Sequence, residues 1–169
     1  GRRYGAKFAK SVICSKARMT YNKVNKILAG DKGLREEYAF LVETAEKMNN
    51  LAHALYKRRI ERGALELDIP EAEIRVDENG KPVEIRFRER GESEKLIEEF
   101  MLQANEAVAE YMCKRELPTV YRVHENPDPD KLRVFASFAR PFGYRIDPSK
   151  PEDTAQFQTV LRGAKNDPK

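Results

Sequence analysis

A carboxylate on an apolar helix face is the first group in this chain that could do chemistry, and Glu98 is such a group. The segment around it is apolar almost all round, through Ile97, Phe100, Met101, Ala104, Val108 and Met112. A charge there must be neutralised, hydrogen-bonded or aimed at a ligand. Asn105 follows two turns along the same face, so the two are expected as a polar pair on a mostly buried surface. Two readings stand: Glu98 answers the helix dipole while Asn105 bonds a neighbouring backbone, or both serve a ligand. His124, beside Arg122 and ahead of Asn126-Pro127, is either a hydrogen-bonded structural residue or an acid–base group. Zinc is discounted, because Cys14, His53, Cys113 and His124 show no ligand spacing.

Positive charge gathers in Lys7, Lys10, Lys16, Arg18, Lys23 and Lys26, interleaved with Tyr4, Phe8 and Tyr21. Cations track phosphates and aromatic faces stack bases, which suits single-stranded nucleic acid. A second group, Lys57, Arg58, Arg59 and Arg62, serves equally well as a solvated helix face. The chain has no Gly-rich phosphate loop and no nucleophile elbow.

The elements that must position these residues are mixed. The chain has 169 residues, 40% hydrophobic and 36% charged, with a net charge of +4, enough apolar material for one ordinary core. Net charge alone does not require a nucleic-acid partner. No run approaches a membrane span or a signal peptide, and two distant cysteines suggest a reducing compartment, so a soluble, cytoplasmic protein with no membrane partner is expected. Phe8 to Cys14 reads as a strand, and Thr20 caps a short helix closed by Gly30, with Tyr21 at its start. Leu34, Tyr38, Leu41, Ala45, Met48, Ala52 and Leu55 mark one long helix ended by Gly63. Leu65, Leu67 and Ile69 alternate as a strand, and a hairpin turns at Asn79-Gly80 between Ile74, Val76 and Val83, Ile85, Phe87. Ser93 is read as the cap of a second long, central helix running to about Lys114. Thr119 to His124 reads as a buried strand, Asp128 and Pro129 open another helix, Phe142 to Ile146 adds a short strand, and a last helix spans about Ala155 to Leu161. The fold class is α+β with a central antiparallel hairpin.

Four stretches, SVICSKARMTYNKV, ERGALELDIPE, LIEEFMLQANEAVA and YRVHENPDPDKL, follow in this order along nearly the whole chain. Together they resemble the catalytic domain of the exoribonuclease II (RNB) family. The resemblance implies Mg²⁺-dependent, processive hydrolysis of single-stranded RNA from the 3′ end, releasing nucleoside 5′-monophosphates. By motif position Tyr21 resembles the family tyrosine, and Glu98 the first glutamate of the family's pair, that contact ribose near the 3′ end. The 2′-hydroxyl distinguishes RNA from DNA, so a phenol and a carboxylate suit that task. Leu67 stands where the family often has an aromatic clamp, so an apolar contact to the terminal base replaces stacking. Lys16, Arg18 and Lys23 are the candidate phosphate contacts.

The family's metal site is a cluster of four close aspartates upstream, and its catalytic arginine lies downstream in a segment of the TSPIRRY type. Of this chain's aspartates only Asp128 and Asp130 are close, and helix capping accounts for them. The expectation is an internal segment, residues 1–169, of one such domain, without catalytic residues or a metal of its own and inactive alone, Mg²⁺ being the parent's cofactor. Uncovered apolar surface and self-association are expected with it. The rival is a non-catalytic module of the same fold that binds RNA or a protein.

Overall fold

The computed structural model describes residues 3–67, 71–88 and 90–165. Its order is α1 (Tyr21–Leu28), α2 (Lys32–Glu37), α3 (Ala39–Glu61), β1 (Glu71–Val76), β2 (Pro82–Arg88), α4 (Glu92–Lys114), α5 (Pro129–Ala139) and α6 (Thr154–Ala164), with a 3-10 turn at Arg140–Phe142. This is the α+β mixture with an antiparallel hairpin that the sequence suggests. The chain divides into two compact units, one of Gly1–Lys57 with Pro70–Thr119 and one of Arg58–Ile69 with Val120–Lys169.

In the first unit the Thr20 side chain accepts the Lys23 N–H at 3.3 Å and starts α1, which buries Ile27 and ends at Gly30, whose φ is +91°. A left-handed φ favours glycine there. The long helix expected from Leu34 onward is two helices, because Tyr38 leaves helical geometry (φ −112°, ψ 33°) between α2 and α3. The break brings its hydroxyl to Lys23 Nζ, which donates at 2.6 Å and lies over the ring. Periodicity runs through the interruption because both pieces share a half-buried stripe, in which only Ala52 is fully buried. Ahead of α1, Arg3 donates to the Gln103 carbonyl at 3.3 Å and pairs with Glu110, while Phe8 meets Tyr111 edge-on at 4.6 Å, so this segment lies along α4.

The hairpin turns as expected: Gly80 has φ +79°, and the Asp77 carboxylate accepts the Asn79 and Lys81 N–H groups at 2.9 Å. Ile74 pairs with Ile85 and Ala72 with Phe87, which puts the apolar side chains on one face. Among the described residues nothing covers that face: Ile74, Ile85 and Phe87 are all exposed.

Several expected strands do not form. Residues 8–14, 119–124 and 142–146 contain no strand, and neither do 65–67, while Ile69 lies outside the described residues. A strand needs a neighbour to satisfy its backbone, and β propensity reflects fit to a half-buried pleated surface. Among the described residues these segments have no such neighbour; Val12 is 101% and Val120 99% exposed. The expectation that α4 is buried on nearly every side also gives way. It buries Ser93, Leu96 and Glu99, while Ile97, Met101 and Val108 stay exposed.

In the second unit Asp128 caps α5, accepting the Asp130 N–H at 2.8 Å with Pro129 in the first turn, and Leu132 and Ala139 are buried. Gly63, at φ +100°, ends the α3 segment, and a side chain there would collide with Thr154. From α6, Gln158 donates at 2.9 Å to the carbonyls of Ile60 and Ala64, tying α6 to the chain at the end of α3, where Ile60 also accepts the Gly63 N–H.

Candidate nucleic-acid interface

Thr20 places Tyr21 at the first position of α1, half-exposed. What holds that position is the start of α4. Gly91 is its N-cap residue and has no side chain to offer, so the capping oxygen comes from another helix: Asn25 Oδ1 accepts the Ser93 N–H at 2.8 Å. Asn25 Nδ2 donates to Glu94 Oε2 at 3.0 Å. The Ser93 hydroxyl lies 3.1 Å from the Tyr21 carbonyl and 3.0 Å from Glu94 Oε2, its single proton shared between them. A side chain at Gly91 would collide with the Asn25 amide, so glycine is required for space rather than for backbone conformation. Burial raises the Glu94 pKa, but the hydrogen bonds led by Asn25 outweigh it and leave the carboxyl below the ordinary range. Ser93, expected from the sequence at the cap, sits two positions inside, and its buried hydroxyl ties the two helices instead.

Tyr21 and Val24 from α1, Leu41 and Met48 from α3, and Leu96 and Ile97 from α4 line a cavity of about 620 Å³. Glu98 follows Ile97 and lies one turn beyond Glu94 on α4. Its side chain is 42% exposed, and its carboxylate pairs with Arg90 at 3.3 Å. Asn105 is exposed, so the expected buried polar pair is not formed; the face it occupies has no cover among the described residues. Tyr21 and Glu98 thus stand on two helices that touch.

The remaining candidates are more dispersed. Lys16 and Arg18 are exposed in the irregular segment before α1. Lys23 is engaged by Tyr38, whose hydroxyl holds the ammonium above the usual lysine range. Leu67 is exposed in irregular chain of the second unit. Phe8 packs on Tyr111, which Arg115 covers from 3.8 Å, while Tyr4 is exposed. His124 is exposed, its Nδ1 3.1 Å from the Glu125 carbonyl. Among the described residues no three His, Cys, Asp or Glu side chains converge as metal ligands, so the residues present do not fit a Mg²⁺ site.

Two features escaped the sequence reading. His53 Nε2 and Glu92 Oε2 lie 2.6 Å apart, joining α3 to the start of α4, and His53 is the main cause of the lowered Glu92 pKa. Asn25 was the other. Its available signal was a position four residues after Tyr21, on the same helix face, together with a glycine immediately before the acidic start of α4.

The RNB domain model matches residues 1–169, and the chain belongs to the RNB domain family. It is similar to ribonuclease R 1 of Lactococcus lactis subsp. lactis (strain IL1403), 41% identical over 169 residues, covering 99% of this chain and 21% of that protein. It is also similar to ribonuclease R of Escherichia coli (strain K12), 33% identical over 168 residues, covering 99% of this chain and 21% of that one. The chain therefore spans about a fifth of the length of these curated relatives. Among solved structures, Mycoplasma genitalium RNase R in complex with ribose methylated single-stranded RNA superimposes with a TM-score of 0.75 at 28% identity, over 88% of this chain and 23% of that one. The same protein in complex with double-stranded RNA gives the same score and identity, over 88% of this chain and 26% of that one. The fold expected from the resemblance is the fold of these neighbours.

Proposed function

We propose that residues 1–169 form an internal part of the catalytic domain of a 3′-to-5′ exoribonuclease, supplying the ribose-reading wall of its RNA channel. The observation that carries this reading is the family match over the whole chain, with ribonuclease R relatives aligned along nearly all of it. A solved relative's complex with single-stranded RNA supports that substrate class.

In this reading the Tyr21 phenol donates to, and the Glu98 carboxylate accepts from, the sugar hydroxyls near the 3′ end. Glu98 exchanges its Arg90 partner for the sugar, which its partial exposure permits. Lys16 and Arg18 meet phosphates, and Lys23 does so on leaving Tyr38. Leu67 offers the terminal base an apolar contact. Hydrolysis adds water at phosphorus and expels O3′, so each released nucleotide keeps its 5′-phosphate. The Mg²⁺ expected of the parent enzyme would be held by residues outside this chain and would supply charge stabilisation for that hydrolysis. A cytoplasmic setting agrees with two cysteines that have no close spacing.

The test uses 5′-labelled single-stranded RNA with Mg²⁺. This chain alone should leave the RNA intact, and a shortening ladder abolished by chelator would overturn the assignment of the metal site to other residues. In the full-length protein, Glu98→Ala should lower turnover on RNA or relax its preference over DNA. Unchanged rates on both polymers would remove Glu98 from the ribose site.

A further inference from the structure

Helix α1 has only eight residues, too short to hold its own geometry, and it presents Tyr21 at its first position, where helices fray. Its orientation therefore depends on what ties it to α4. Among the described residues those ties converge on Asn25, which caps α4 through the Ser93 N–H at 2.8 Å and donates to Glu94 at 3.0 Å. Ser93, held in turn, reaches the Tyr21 carbonyl at 3.1 Å. Gly91 leaves the space that the Asn25 amide fills.

We propose that Asn25 is a positioning residue for sugar recognition: by capping α4 from α1 it sets Tyr21 against the helix that carries Glu98. This rests on the reading of Tyr21 and Glu98 as ribose contacts. Asn25 acts only through them, and the cavity shared by Tyr21 and Ile97, the residue before Glu98, is the space whose shape it maintains. Hydrogen bonds weaken steeply with misalignment, so a shift of α1 on α4 loosens discrimination of the 2′-hydroxyl before it abolishes phosphate binding.

The experiment compares, in the full-length protein, turnover of an RNA ending in a 3′-ribonucleotide with that of the same RNA ending in a 2′-deoxyribonucleotide. Asn25→Ala should lower this ratio roughly tenfold, the effect of one lost hydrogen bond. Asn25→Asp alone should lower it too, by setting a second carboxylate against Glu94. The exchange Asn25→Asp with Glu94→Gln keeps the cap, reverses the donor in the other bond, and should restore the ratio. Restoration is a result that general loss of fold cannot produce, and it stays readable if Asn25→Ala does not fold. Tyr21→Phe and Glu98→Ala serve as the reference. If they lower the ratio while the Asn25 variants do not, or if the exchange restores nothing, the positioning role is overturned and the ribose reading stands. If Tyr21→Phe and Glu98→Ala leave the ratio unchanged, the ribose reading itself falls.

Discussion

The α1–α4 junction and the β1–β2 hairpin meet their polar and apolar obligations differently. At the junction each polar group finds its partner within the chain, Asn25 with Ser93 and Glu94, while Ile27 and Leu96 are buried. The hairpin is internally hydrogen-bonded, yet Ile74, Ile85 and Phe87 remain exposed on a single face. A two-stranded sheet with an uncovered apolar face is marginal in water. The junction can hold a site, whereas the hairpin's exposed apolar face contributes little to its stability.

Four measurements would break or sharpen that contrast. The largest effect should come from Ile27→Ala, a buried truncation at the junction expected to cost about 2–5 kcal/mol by denaturant unfolding. A cost near zero would mean that the junction is no more cohesive than the hairpin. Gly91→Ala, which pushes the Asn25 amide away and removes the borrowed cap, should cost about 1 kcal/mol. An unchanged unfolding midpoint would show that the cap is dispensable.

Acid should act at the junction and at the neighbouring His53–Glu92 pair. The Glu92 and Glu94 carboxyls are both held below the ordinary range, Glu92 chiefly by the hydrogen bond to His53 and Glu94 by hydrogen bonds that outweigh its burial. Such groups contribute stability that is complete above the unfolded-state carboxylate range, about pH 4–5, and is lost as pH falls through their lower folded-state values. Glu94→Gln should therefore flatten the acid limb of a pH-dependent melting series, and an unaltered limb would count against these hydrogen bonds. The smallest effect on unfolding is expected at the hairpin, where Ile85→Lys should change stability by no more than about 0.5 kcal/mol. If the exposed hairpin face drives self-association, the variant should associate less than the parent chain in sedimentation velocity. Association of equal strength in the variant would move the sticky surface elsewhere, to Met101 and Val108 on α4.

Legibility followed the distance over which each interaction acts. Thr20 and Asp128 announce helix starts because a cap bonds backbone two or three residues away, and Asn79-Gly80 announces its turn for the same reason. The segments 8–14 and 119–124 have strand composition, but composition cannot supply a neighbouring strand, and both stay irregular. Ser93 looked like a cap because serine next to an acidic stretch is the local signature; the oxygen came instead from Asn25, 68 residues earlier. Within the candidate site, Tyr21 and Glu98 were visible through their motifs. The clamp that joins their helices was not, because the helix face Asn25 shares with Tyr21 does not say which distant N–H its side chain meets.

The family, the helix caps, the turn and the identities of the ribose-contact candidates were written in short stretches of residues, where local geometry and side-chain type suffice. Only the tertiary structure decided that Tyr38 splits a helix to meet Lys23, that Gly91 makes room for a cap from α1, and that the hairpin's apolar face stays open. Each of these depends on which distant groups come within hydrogen-bonding or van der Waals range. That is set by the folded arrangement of the whole chain and not by neighbours in sequence.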